Sequence, residues 1–257
     1  MLAIERRNAI LGKLQKERRV VVSELARLYG VSEETIRRDL DRLEAEGFAI
    51  KSYGGAVINE EAATDLPFQI RNKRNVQEKQ CIAELVSALV EDGDSLVLDA
   101  SSTALYIVRR LKEKQKKNLT IITNSVEILI ELYDAQGWKV LSSGGEAEPG
   151  YLALFGPQTD RMLEYYHVDK AFISCKGIDM ESGMTDANEL LAKNKRTMLG
   201  MARERYLAVD SSKFGRIAFT KIGEFKDLTA IITDTEPDER WQRMFADAGI
   251  KCIYGSS

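Results

Sequence analysis

The 257-residue sequence predicts an α/β protein of two domains: a small helical unit closed by a β-hairpin over residues 1–58, a linker over 59–67, and a larger unit with a mostly parallel sheet over 68–257. Three observations carry this prediction. Two short helical patterns, each with its own cap, meet across a tight turn between Val20 and Leu43. A polar, acidic stretch beginning at Asn59 ends in Pro67. Beyond it, seven apolar runs alternate with amphipathic segments, without internal repeat or low-complexity sequence.

In the first unit, Ser23 is placed to cap a helix with Leu25 and Leu28 on one face; Gly30 ends it, and Ser32 caps the next helix at once. Helices joined this tightly pack at a steep angle. In the second helix Ile36, Leu40 and Leu43 recur at helical spacing and face inward, which leaves Glu34, Thr35, Arg37, Arg38 and Arg42 on or near the outer side. Arginine's planar fork of donors suits guanine edges and phosphate oxygens. A helix held at this angle enters a major groove N-terminus first, with Thr35 placed to touch a base or a phosphate. Gly47 stops the helix, Phe48-Ala49-Ile50-Lys51 reads as a strand, and Gly54-Gly55 follows where a tight turn needs positive backbone angles. Such a hairpin is a wing whose Lys51, Ser52 and Tyr53 reach the sugar-phosphate backbone or the minor groove. The pattern is a winged helix-turn-helix with double-stranded DNA as its partner. The plainer reading is a small interaction domain whose arginines are merely solvated.

In the second unit Phe68 to Val90 has a helical pattern. The β-like runs are Ser95–Leu98, Leu119–Thr123, Trp138–Leu141, Lys170–Ser174, Tyr206–Val209, Ala230–Thr233 and Lys251–Tyr254. Helical segments between most of them predict a sheet covered on both faces. Ligands of such sheets bind beyond the carboxyl ends of strands, which singles out four loops. Asp99-Ala100-Ser101-Ser102-Thr103 opens into a helix near Ala104 and offers backbone N–H groups and hydroxyls to an anion. Asn124 and Ser125 follow the second run, Gly144-Gly145 permits close approach of backbone to a ligand, and Asp210 to Gly215 offers Lys213 as a point charge. Hydroxyls, glycines and a lysine suit a small phosphorylated polyol. A nucleotide is disfavoured, since the chain has neither G-x-x-x-x-G-K-[ST] nor a strand followed by G-x-G-x-x-G. Lys176, Asp179, Asp186, Glu189 and Lys193 are placed to surround a sugar's hydroxyls; as acid and base they would make an enzyme the rival reading.

Residues Arg7 to Ala56 resemble the N-terminal winged helix-turn-helix of the DeoR family of bacterial transcriptional regulators, whose hallmark run S-x-x-T-I-R-R-D-L is here Ser32 to Leu40. The resemblance implies that Ser32, Thr35, Arg37 and Arg38 face an operator. The family's wing often carries an arginine and then a histidine before the paired glycines, where this chain has Lys51 and Tyr53. Residues 68 to about 235 resemble the family's C-terminal effector domain, which is related in fold to ribose-5-phosphate isomerase. The matching pieces are Glu78-Lys79 with Ile82-Ala83, D-A-S-S-T at 99–103, Thr123-Asn124-Ser125, Gly144-Gly145, D-K-A-F-I-S-C-K-G-I-D at 169–179 and D-S-S-K-F-G at 210–215. The resemblance implies a phosphorylated sugar as effector, no cofactor, and in most of the family repression of a catabolic operon. Loop census and resemblance together assign the effector site to Asp99, Ala100, Ser101, Ser102, Thr103, Asn124, Gly144, Gly145, Lys176, Asp179, Glu189 and Lys213. The family commonly has a glycine where Ser101 stands, so a Cβ there narrows the phosphate site or changes its preference. The alternative is a sugar-phosphate isomerase-like enzyme with an accessory helical domain. Against it, the isomerases' D-G-A-D-E-type run is replaced by Cys175 to Asp179, and shared fold does not carry activity with it.

Composition sets the remaining bounds. The net charge is −3, but residues 1–58 carry 11 basic against 9 acidic side chains and the remainder 26 against 31, so the DNA end is the basic one. That surplus is small. Groove contacts and self-association must therefore supply much of the affinity, and because one helix-turn-helix reads one half-site the expected assembly is a homodimer or tetramer. Cys81, Cys175 and Cys252 lie far apart, with neither metal-ligand spacing nor a disulfide framework, and read as core thiols. His167 is the only histidine, which excludes a triad or a multi-histidine metal site, and the lysine-rich run 112–117 reads as a solvated helix end. No apolar run approaches the ~18 residues a membrane span needs, and the N-terminus lacks a signal-peptide core, so a cytoplasmic location is expected.

Overall fold

The computed structural model describes residues 3–45, 49–58, 66–148 and 150–255. The chain divides into two compact units, Met1–Ile70 and Arg71–Ser257.

The first unit runs α1 (Ala3–Glu17), β1 (Arg19–Val21), α2 (Val22–Tyr29), α3 (Glu33–Ala45), β2 (Ala49–Ser52) and β3 (Gly55–Ile58). Ile10 and Leu14 of α1, Leu25 of α2, and Ile36, Leu40 and Leu43 of α3 are fully buried and form its core. Gly30 ends α2 at φ +64°, its N–H returning to Ala26 O, and the Ser32 hydroxyl accepts the Thr35 N–H at 3.2 Å as the cap of α3. Two expectations for α2 need correcting. The helix starts one residue before Ser23, with extended Val21 at the N-cap position and no side-chain cap, and Leu28 is 60% exposed rather than packed beside Leu25.

The hairpin of β2 and β3 turns at Ser52 to Gly55, and β1 joins β3 as a third strand that periodicity did not separate from α2. Of the glycine pair in this turn, Gly54 has a positive φ, +81°, and Gly55 does not. Gly55 is needed for a different reason: it pairs with Val21, and a Cβ on it would run into the Val20 carbonyl. Gly55→Ala is therefore expected to destabilise the first unit by ~1–3 kcal/mol, the usual range for overpacking, visible as a lower urea midpoint of its transition. Gly47, Phe48 and the linker residues Asn59 to Asp65 lie outside the described residues.

The second unit is organised by seven parallel strands in the order β15-β14-β12-β9-β4-β5-β6. They are β4 (Ser95–Leu98), β5 (Thr120–Thr123), β6 (Lys139–Ser142), β9 (Val168–Ile173), β12 (Ala202–Ala208), β14 (Ala230–Thr233) and β15 (Lys251–Tyr254), one for each apolar run. Leu96, Val97 and Leu98 are all at 0% exposure, because a central parallel strand is covered on both faces. The covering helices are α5 (Val76–Leu89), α6 (Ser102–Glu113), α7 (Val126–Glu131), α8 (Pro157–Tyr165), α9 (Glu189–Gly200) and α10 (Glu239–Asp247). Val97, Ala171, Ile173, Leu207 and Ile231 share one core with Leu163 of α8, Met198 and Leu199 of α9, and Trp241 and Phe245 of α10.

Three features depart from the sequence reading. The helix expected from Phe68 to Val90 is two, α4 (Phe68–Lys73) and α5, broken at Asn75, which is left-handed at φ 49°, ψ 48°. A hairpin of β7 (Glu146–Glu148) and β8 (Ala153–Phe155) lies apart from the main sheet. So does an antiparallel sheet of β10 (Gly177–Asp179), β11 (Gly183–Asp186) and β13 (Thr220–Gly223). No helix among the described residues is long and apolar enough to cross a membrane.

Candidate nucleic-acid interface and ligand site

In the first unit α3 presents the expected face. Ser32, Glu34, Arg37, Arg38 and Arg42 are exposed and Thr35 is half-buried. Most polar groups there already have a local partner: Ser32 and Thr35 join hydroxyls at 2.9 Å, Glu33 pairs with Arg37 at 2.8 Å, and Glu34 with Arg38 at 3.3 Å. At the wing, Tyr53 is fully exposed at the turn while the Lys51 ammonium is paired with Asp41 of α3 and its N–H donates to Glu44 at 2.8 Å. The wing is thus tied back to α3 through Lys51, while Ser52 and Tyr53 at its turn are exposed. Helix α3 carries five carboxylates against three arginines, so its affinity for a nucleic acid comes from placed contacts and not from bulk charge.

What fixes the rotation of α3 is a pair that the sequence reading missed. Asp39, between Arg38 and Leu40, is 4% exposed and accepts from Arg6 Nε of α1 at 2.6 Å. Breaking a buried pair of this kind leaves an uncompensated charge, which costs far more than an exposed pair contributes. Arg6 therefore locks the helix whose opposite face carries Arg37 and Arg38.

In the second unit the chain leaves β4 for β5 and β6 on one side and returns to β9 on the other, so the crevice between β4 and β9 is the topological switch point where open α/β sheets bind ligands. Asp99 follows β4 there. Its two oxygens accept the N–H groups of Ser101 (3.1 Å) and Ser174 (3.0 Å), and it pairs with Lys195 of α9 at 3.2 Å. The Lys195 ammonium also pairs with Asp186 of β11, and all three side chains are buried. Burial works to lower the Lys195 pKa, but Asp186 and Asp99 outweigh it and push the group up to about 12. Lys195, not Lys193, is the lysine of the crevice; Lys193 pairs with Asp160 at 2.5 Å.

The hydroxylated loop is local architecture as well as a candidate anion site. Ser101 caps α6, accepting the Ala104 N–H at 3.0 Å, so the helix begins at Ser102 rather than near Ala104. Ser102 and Thr103, both buried, fill its first turn, where N–H groups lie free of intrahelical partners. Ala100 packs with Ala153 and Phe155 of β8, Leu191 of α9 and Tyr151. Asn124, 2% exposed, donates to Leu154 O at 3.2 Å, while its Oδ1 is buried with no hydrogen-bond donor. An orphaned buried acceptor costs about 1–3 kcal/mol unless a donor reaches it.

Around β12, Asp210 is buried and pairs with half-buried Lys213 at 3.8 Å, while Lys79 of α5 is buried nearby and lies over the Tyr106 ring at 5.8 Å. Burial is the main cause that lowers Lys79 to about 7; Lys213 and Arg71 push the same way and Asp210 opposes them. Burial also acts to raise Asp210, but Lys213, the Ser212 hydroxyl, Lys79 and Asn75 together hold it below the usual carboxylate range.

Other predicted residues have plain structural uses. A Cβ on Gly145 would strike Thr159 and the Phe155 carbonyl, and the Gly144 carbonyl accepts from Thr159 at 2.6 Å, so this pair seats α8 and the β7–β8 hairpin. Asp179 accepts from Glu181 and Ser182 N–H groups at 3.0 and 2.9 Å in the β10–β11 turn, Lys176 N–H donates to Thr185 O at 3.0 Å, and exposed Glu189 opens α9. The cysteines are free thiols; burial pushes Cys175 to about 12 and Cys252 to about 11, and raises Cys81. No cluster among the described residues could hold a metal ion.

The comparisons with known proteins agree with both halves. Residues 6–62 match the DeoR-like helix-turn-helix domain and residues 74–235 the DeoR C terminal sensor domain. The chain is 39% identical to the uncharacterized HTH-type transcriptional regulator YulB of Bacillus subtilis (strain 168), over 98% of this chain and 96% of that protein. It is 32% identical to the HTH-type transcriptional repressor GlcR of the same organism (97% and 95%) and 33% identical to the L-fucose operon activator of Escherichia coli (strain K12) (89% and 94%). Among solved structures, ribose 5-phosphate isomerase A of Methanocaldococcus jannaschii superposes with a TM-score of 0.39 at 20% identity, covering 53% of each chain.

Proposed function

We propose that this chain, which belongs to the DeoR family of transcriptional regulators, represses a sugar or polyol catabolic operon and is released from its operator by a phosphorylated sugar bound at the carboxyl ends of β4, β5, β9 and β12. The observation that carries the ligand reading is the set of polar groups at those strand ends. Lys213 is half-buried beside Asp210, the first N–H groups of α6 have no intrahelical partners, and Asn124 Oδ1 lacks a donor. Cations and helix N–H groups suit a phosphate, and the buried acceptor suits a hydroxyl of the same molecule. The repressor sign is supported by the name of GlcR; the name of the L-fucose operon activator supports the opposite sign for a different relative. The relatives are named as regulators, not enzymes, so no reaction is assigned.

One helix-turn-helix reads one half-site, so the chain acts as a homodimer or tetramer whose recognition helices are spaced by the sensor domains. A ligand moves that equilibrium only by its differential affinity for the two arrangements, usually 1–3 kcal/mol or about 5–150-fold. The test is fluorescence anisotropy of a labelled duplex from upstream of this protein's own operon, with competitor DNA, against a panel of phosphorylated sugars. Specific binding that one sugar phosphate weakens about 5–150-fold is the expected result. Strengthening reverses the sign, and no response to any member sinks the effector assignment.

A further inference from the structure

We propose that Asn75 is a coupling residue: its side-chain amide ties the Asp210–Lys213 loop to the corner between α4 and α5, and through that corner carries ligand occupancy toward the helix-turn-helix. The proposal rests on the effector reading above and assigns its regulation. Residues 71–75 are the first of the second compact unit, so any change in this corner acts on the segment of chain that leads to the DNA-binding unit.

The geometry is a clamp with three anchors. Asn75 is left-handed between the two helices, a conformation asparagine adopts more readily than most residues, and its Nδ2 donates to Asp210 Oδ1 at 2.9 Å and to Ser212 Oγ at 3.1 Å. Lys79 reaches back from the first turn of α5 and donates to the carbonyls of Arg71 and Arg74. Tyr106 of α6 donates its hydroxyl to Asn72 O at 3.1 Å. Two of the anchors begin in the ligand site: α6 starts at Ser102, and Asp210 to Lys213 supplies the candidate phosphate lysine.

Occupancy changes the clamp by exchange of partners. In the structure Asp210 holds Lys213 at 3.8 Å and accepts the Ser212 hydroxyl, its N–H (3.1 Å) and Asn75. A phosphate arriving at this loop takes the Lys213 ammonium and the single Ser212 hydroxyl proton. Asp210 then keeps Asn75 as its side-chain hydrogen-bond donor, and that charge-assisted bond tightens. The corner is more firmly held in the bound state than in the free one, a difference between states that allosteric coupling requires.

Asn75→Gly tests this, because glycine keeps the left-handed backbone and deletes only the amide. Full-length wild type and variant are compared on a duplex selected from a random library by the wild type, with glucose 6-phosphate, fructose 1-phosphate, glycerol 3-phosphate and inorganic phosphate as probes. Amide exchange over residues 71–76 is followed in parallel. Expected for the variant is operator affinity within about 3-fold of wild type, probe binding retained but weaker, and, at saturating probe, a change in operator affinity below 2-fold against about 5–150-fold in wild type. The added protection at 71–76 is lost with it. A variant that keeps the full response overturns the coupling role alone. A wild type deaf to every probe overturns the effector reading and this proposal with it.

Discussion

Arg37→Ala/Arg38→Ala protein is expected to lose operator binding by at least about 30-fold while its thermal unfolding stays close to wild type. Each well-placed arginine fork on a guanine edge contributes about 1–3 kcal/mol of discrimination, so two of them account for a loss of that size. The fold barely registers the change, because what is removed from the free protein is two exposed i,i+4 pairs with Glu33 and Glu34, each contributing about 0.3–0.5 kcal/mol. Competitor DNA separates base reading from phosphate binding. If the arginines read bases, operator binding falls far more than competitor binding. If they only touch phosphates, both fall together and the salt slope drops by about one for each phosphate no longer held. A variant that melted much earlier would instead place the arginines in the fold, which is the role the buried Arg6–Asp39 pair plays on the opposite side of the same helix.

How much of this was legible in the sequence depends on whether a feature is local. All seven parallel strands were found, because a central strand must be apolar on both faces and so stands out as a continuous run. The turn at Gly30 and the cap at Ser32 were legible for the same reason: each is settled within four residues. Strand β1 was not, since Arg19-Val20-Val21 runs straight into α2 and becomes a strand only by pairing with residues 55–57. The β7 strand Glu-Ala-Glu is exposed throughout and carries no alternation to detect. The helix break at Asn75 sits in a polar run that keeps helical character on paper.

The buried charged residues carry a readable signal in the sequence. Asp39 lies three residues after Ile36 and four before Leu43, Lys79 three before Ile82, and Lys195 four after Leu191 and three before Met198. Each stands on the buried stripe of its helix, where a charge has to find a partner. The stripe shows that a partner exists; it does not show which, because Arg6 is 33 residues from Asp39 and Asp186 nine from Lys195. Lys193, Glu189 and Asp179 have residue types that suit a sugar site, and they stand in a surface pair, at a helix start and in a hairpin turn. Residue type suggests chemistry. Position on the helix decides whether that chemistry is reached.

Lys195 carries the largest expected effect on stability. Lys195→Met leaves Asp99 and Asp186 buried without their cation, and loss of one partner from a buried pair typically costs about 3–5 kcal/mol. The sensor domain's unfolding transition should move to lower urea by that amount, while the helix-turn-helix, a separate compact unit, keeps its own. Asp186→Asn is expected to cost less, because Lys195 retains Asp99, and the double variant should recover part of the loss. A coupling of about 0.5–3 kcal/mol in that cycle identifies the pair as an interacting one, and simple additivity would place the damage in packing instead. The pH dependence gives a second check. Lys195 is raised from near 10.5 to about 12 in the folded state, so its stabilisation is complete below about pH 10.5 and fades as pH climbs toward 12. Wild type and Lys195→Met should therefore differ by the full amount at neutral pH, and the gap should narrow toward the alkaline end. A gap that stayed constant through this range would mean that the charge of Lys195 contributes nothing to holding the crevice together.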